Sequence, residues 1–274
     1  MRKAWTWHVV VCGFFLACVF FVSREARAAN ADEASSIKTE ARRQSELDLE
    51  IGGDLPGFGP GTVRYISREE LLKLPQVSYA VDDDANFAGK VEINGVLLAE
   101  LLKALGVPRA GMMVVAICVD QYHAHYSEEY VEAHQPVLAL KINGLPPGSW
   151  PTNAEVHGAA MGPFLISHAK FTPRFKILAH EDEPQIPWGV VRLEFRKEAA
   201  VLAAIAPRGA HAGEAGVKNG YVIAQENCFR CHDSNGEGGK KSGRPWPVLA
   251  AWAEASPARF AAYVRNPQAV NAKS

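Results

Sequence analysis

Five consecutive residues near the end of the chain, Cys228-Phe229-Arg230-Cys231-His232, carry the most specific chemistry in the sequence. Residues three apart on a helical turn share a face, so the two thiols point the same way. Thiols so placed can reach the two vinyl groups on one edge of a haem, and the adjacent imidazole can turn under the ring to bind iron. A C-x-x-C pair also occurs as half of a zinc site or as a thioredoxin-like redox pair. The zinc reading needs a second Cys/His pair nearby, yet neither residue type follows His232. The redox reading needs a βαβ setting. The spacing therefore predicts a covalent haem c on Cys228 and Cys231, with His232 as axial iron ligand.

A second group of ligand-type residues lies upstream. A β-prone run, 112–119, leads into Asp120-Gln121-Tyr122-His123-Ala124-His125. On one continuing strand His123 and His125 share a face, with Cys118 and Asp120 at alternate positions before them. Imidazole suits copper, zinc or iron, so Cys118, His123 and His125 form a candidate metal site. The competing reading is polar surface. Asp82, Asp83 and Asp84 are three consecutive carboxylates without EF-hand spacing, and read as a solvated loop. The glycine-rich run 52–61 lacks the G-x-x-x-x-G-K-[ST] pattern of a phosphate-cradling loop.

These groups sit in a chain of 274 residues that is 48% apolar, enough for one or two domains with a real core. Arg2 and Lys3, an apolar run at 9–22 and Ala26-Arg27-Ala28 read as a signal peptide, 1–28. The run is short for a membrane span, so export with cleavage is expected, leaving no stable membrane span. Cys12 and Cys18 then leave with the signal, Cys118 stands alone, and no intramolecular disulfide is expected. Lys and Arg number 17 against 25 Asp and Glu over 29–214, and 8 against 4 over 215–274. Neither block has the basic, aromatic-interleaved character of a nucleic-acid surface. The asymmetry suits docking of the two parts on each other or steering of a redox partner, and reads equally as solvated surface.

The elements that must position the chemistry follow in order. Residues 29–61 read as a polar linker. Ser67 and Glu70 form a capping box that opens a helix over 68–74, stopped by Pro75. Strands are predicted at 77–81, 90–93, 112–119, 138–142, 164–166 and 190–195. The strand at 90–93 ends at Asn94-Gly95. Leu97, Leu98, Leu101, Leu102 and Leu105 then recur at helical spacing, stopped by Gly106.

Asn94-Gly95 with its leucine helix, the strand into Asp120-Gln121-Tyr122, and Lys141-Ile142-Asn143-Gly144 resemble the molybdopterin-binding domain of sulfite-oxidase-type oxidoreductases. The resemblance spans 62–198 and implies a mixed α+β scaffold. Gln121 stands where that family has Gly, and no Cys lies between the signal and Cys118. The expectation is therefore a scaffold without its molybdopterin cofactor. After an Ala-rich linker, 199–214, residues 215–274 resemble a small class I c-type cytochrome. Gly220-Tyr221 sits seven to eight residues before Cys228, as in that family's N-terminal helix. Gly236, Gly238 and Gly239 supply the loop after the haem histidine, and Trp246, Pro247 and Leu249 can line the haem pocket. Ser256 and Pro257 open a helix to Arg265, whose Phe260, Ala261 and Val264 are expected against the first helix.

The family's sixth ligand is a Met beyond an Asn-Pro turn. Asn266-Pro267 is present here, but no Met follows Met161. Three readings stay open: a chain ending before that ligand, five-coordinate iron, or another ligand such as His211. The expected fold is an α+β N-terminal domain followed by a small all-α cytochrome c domain. The expected function is one-electron transfer in the periplasm between redox protein partners, with the front domain as a docking or ligand-binding module. The alternative is a haem-linked oxidoreductase whose front domain holds a molybdopterin or other metal site. A sensor of diatomic gases needs an open iron position. No G-x-S-x-G arrangement argues for hydrolysis.

Overall fold

The structure, a computed structural model, describes residues 37–271 except 83, 155, 157 and 171–184. The expected signal peptide and Asp83 lie outside the described residues. The chain opens with β1 (Leu49–Gly53) and β2 (Arg64–Ile66), then α1 (Arg68–Lys73), β3 (Val77–Val81) and β4 (Val91–Leu97). Helix α2 (Leu98–Ala104) precedes the hairpin of β5 (Met112–Cys118) and β6 (His123–Tyr126). Next come α3 (Glu128–His134), β7 (Pro136–Ile142), β8 (Phe164–His168), β9 (Trp188–Lys197) and α4 (Glu198–Leu202). The regular elements of the tail are helical: α5 (Ala215–Ile223), α6 (Trp246–Ala255), α7 (Pro257–Arg265) and α8 (Pro267–Val270).

Among the described residues nine strands form one sheet in the order β2-β1-β9-β8-β7-β4-β3, with the β5/β6 hairpin attached to β9. Pairing is antiparallel except between β1 and β9, where Glu50 lies beside Arg192 and Gly53 beside Phe195. Both faces of the central strands are covered, so their sequences read as near-continuous apolar runs. In β7, Leu138 and Leu140 enter the main core with Leu71, Leu101 and Phe195, while Val137 and Ala139 face Trp150 and Met161 on the other side. Alternation does the same in β5. Val114, Ala116 and Cys118 belong to the main core, whereas Met113 and Val115 face a third cluster with Val201, Ile205 and Phe229.

Helix α1 forms where predicted, with Ser67 Oγ accepting from the Glu70 N–H at 3.2 Å. The leucine stripe is α2, and Leu98, Leu101 and Leu102 are buried. Asn94-Gly95 does not end a strand as expected. It is a bulge inside β4, and a Cβ on Gly95 would stand 2.1 Å from the Leu138 carbonyl oxygen. The stretch expected as polar linker contains β1, with Leu49 and Ile51 wholly buried. The expected inter-domain linker carries α4 and buries Val201 and Ile205 against β5. The tail thus shares a core with the sheet and belongs to the same compact unit. Among the described residues no helix is long and apolar enough to cross a membrane.

Candidate functional site

The C-x-x-C-H run follows a change of helical winding. After α5 the backbone widens to a π turn over Ala224–Cys228, and the Phe229 N–H donates to the Ala224 carbonyl at 3.0 Å. The next turn tightens, with the N–H groups of Cys231 and His232 both donating to the Cys228 carbonyl at 3.1 Å. Cys228 and Cys231 are both partly buried and are not joined as a disulfide. Burial pushes both thiols up, so they are held protonated. Nδ1 of His232 lies 2.6 Å from the Arg244 carbonyl oxygen, which can only accept, so Nδ1 carries the proton. Ser242 Oγ, which donates to the Cys231 carbonyl at 2.8 Å, stands 2.9 Å from the same Nδ1. That leaves Nε2 with its lone pair, the usual state of a metal-ligating imidazole steadied by a backbone acceptor.

The run is anchored by the first of the two residues between the cysteines. Phe229 is wholly buried against Met113 and Val115, and stacks on the His125 ring at 4.8 Å and 13°. Backbone bonds lock the same edge. The His123 N–H donates to the Arg230 carbonyl and the Lys240 N–H to the Gln121 carbonyl, both at 2.9 Å. The return loop passes so close that a Cβ on Gly239 would meet the Arg230 carbonyl oxygen at 1.8 Å. A Cβ on Gly238, at φ +86°, would meet the Phe229 ring at 2.5 Å. Two ion pairs flank the contact: Lys241 with Asp120 at 2.8 Å, and Arg196 with Glu237. The buried Arg230 side chain lies beside the Tyr122 hydroxyl, whose pKa burial pushes up to about 12.

The second predicted group does not converge. Val119 to Gln121 turn the chain back, with Gln121 at φ +66°, so Cys118 and the histidines lie on two paired strands. His125 is opposite Val115 and His123 opposite Ile117, and all four face the tail. Cys118 enters the main core on the other face, and burial holds its thiol well above the usual range. Among the described residues no three His, Cys, Asp or Glu side chains are grouped to hold a metal. A thiolate-held molybdenum at Cys118 does not fit this arrangement. His211 is exposed and bonds Glu214 at 2.5 Å. Phe260, expected against the first helix, instead meets Trp252 of α6 edge-on at 5.3 Å.

The donor set at the tail does fit a covalent haem: two unpaired thiols one turn apart, and an imidazole with Nδ1 committed and Nε2 left for iron. No protein-family model matches the chain, and a search of the curated proteins finds no similar sequence.

A further cluster lies on the inner side of Phe229. His125, His134 and His168 are buried beside Tyr126, Tyr130 and Gln185. The Tyr130 hydroxyl is 3.0 Å from His168 Nε2, and the Tyr126 hydroxyl donates to the Gln185 carbonyl at 2.6 Å. Burial drives the His125 and His168 pKa values down to about 3, so both rings are neutral. Only the alternation of His123 and His125 along a strand pointed toward this cluster.

Proposed function

We propose that the chain is a periplasmic c-type cytochrome that carries one electron between redox proteins. The observation that supports it most directly is the His232 Nδ1–Arg244 carbonyl bond beside the two unpaired thiols of Cys228 and Cys231. When bound, the haem supplies one-electron cycling between ferric and ferrous iron. Cys228 and Cys231 would hold it by thioether bonds, and His232 Nε2 would bind its iron. The Arg244 carbonyl and Ser242 fix the imidazole plane and its tautomer. Gly238 and Gly239 let the return loop close over Phe229, which keeps the motif against β5. The signal-like N-terminus supports export, the setting in which bacterial chains acquire such haems. In this reading the sheet domain, a sulfite-oxidase-like scaffold without molybdenum, is the docking or ligand-binding module that brings the haem to its partner.

Expression with a haem-maturation apparatus tests the assignment. Full-length protein should show a sharp Soret band and keep a haem stain after denaturation. The stain should fade in Cys228→Ala and Cys231→Ala and vanish in the double variant. A stain that survives the double change rejects the assignment.

A further inference from the structure

Arg230, the second residue between the two cysteines, is 7% exposed. Among the described residues no other Lys or Arg is buried. Its backbone is fixed to the sheet and the return loop: the carbonyl accepts the His123 N–H at 2.9 Å, and Gly239 packs against it. The guanidinium donates to the Tyr122 hydroxyl, which burial keeps protonated. Its charge is felt across the seam between tail and sheet. At His125 and His168, burial, a neighbouring histidine and this guanidinium together oppose protonation.

The other cations near the motif differ in kind. Lys240, Lys241 and Arg244 of the return loop are exposed, so water and salt screen them. Arg196 is ion-paired with Glu194 at 3.2 Å and with Glu237. Arginine does not give up its proton, so Arg230 keeps its charge from acid to well above neutral pH. A charge held inside the fold, and bonded in sequence to Cys231, acts through a medium of lower dielectric than the surface does. When one electron arrives from a donor protein, no bond forms or breaks and the net charge at the haem falls by one. A cation nearby favours that reduced state.

We propose that the buried Arg230 guanidinium raises the reduction potential of the haem on Cys228 and Cys231. The inference rests on the cytochrome reading and deepens it. Tyr122, from the sheet domain, holds the charge in place.

Spectroscopic redox titration of the haem-loaded full-length protein tests it. Arg230→Met should shift the equilibrium toward the ferric form roughly tenfold, which is about 59 mV for a one-electron couple. Arg230→Lys should stay within about twofold of the wild type when read at about pH 6, where lysine holds its charge even if burial lowers its pKa. Tyr122→Phe removes the hydroxyl but leaves the charge, and should move the equilibrium less than Arg230→Met does. A wild-type potential in Arg230→Met, an equal fall in Arg230→Lys, or a larger shift in Tyr122→Phe overturns the inference. If Arg230→Met does not fold, the wild type decides. Raising salt from about 0.05 to 0.5 M should shift its equilibrium less than about twofold, because a buried charge is little screened. A larger shift assigns control to surface charge and overturns the inference. Folded protein that takes up no haem overturns the cytochrome reading as well, whereas haem with an unmoved potential overturns this inference alone.

Discussion

The sheet and the tail bury apolar side chains in opposite ways. Strands β1, β4, β7, β8 and β9 each place at least one apolar side chain completely out of solvent. The tail helices α5 to α8 bury none, and Val222 and Val248 are about half exposed, at 45% and 51%. Among the described residues the large apolar side chain that the tail does bury is Phe229, outside those helices, and it is buried against the sheet. The sheet therefore holds itself together, while the tail takes its position from a borrowed core and from whatever its own apolar surface later covers.

The contrast can be broken most severely from the sheet side. Phe195→Ala, at a position 1% exposed on the strand that joins β1, β5 and β8, should cost about 3–5 kcal/mol. Denaturant unfolding followed by circular dichroism should show sheet and tail destabilised together. Phe229→Ala should remove about 3 kcal/mol from the docking of the tail while leaving the sheet's own transition nearly unmoved. Limited proteolysis should then cut readily between 205 and 228; an unchanged digestion pattern would mean that the tail has another anchor.

Acid sharpens the comparison by acting on the shared face. His125 and His168 have folded pKa values near 3, set first by burial and then by neighbouring His123 or His134 and Arg230. Unfolded histidine binds its proton near pH 6.5, so between about 6.5 and 3 the unfolded state holds more protons. Their contribution is complete above that window and shrinks as pH falls, by about 1.4 kcal/mol per pH unit for each histidine. From pH 6.5 to 5 each should cost about 2 kcal/mol, and His125→Asn should remove one share of the slope in denaturant midpoints. The smallest effect is expected at Lys241→Ala. Its ion pair with Asp120 is 48% and 39% exposed, so the loss should stay under about 1 kcal/mol and disappear in high salt.

Local signals were legible where one segment decides its own conformation. Ser67 with Glu70 marked a helix start, and the leucine stripe marked α2, because both patterns are complete within a few residues. Contacts between distant segments were not. Asn94-Gly95 looks like a turn, but Gly95 is required by the backbone of β7 more than forty residues later. Leu49 and Ile51 read as isolated apolar residues in a polar stretch, because their neighbour β9 is about 140 positions away. Cys118 and His123 seemed to share a strand, because nothing in Gln121 announces a left-handed backbone. The C-x-x-C-H thiols and imidazole were named from spacing alone, whereas the acceptor for His232 came from Arg244, which no motif marks.

The parallel union of β1 and β9 has a temporal consequence. The first strand made must wait for residues 192–195 before its second edge is satisfied, so the sheet closes late, after most of its chain has emerged. Phe229 needs the finished β5–β9 surface as its seat. The segment that carries the two thiols therefore docks after the sheet on which it sits.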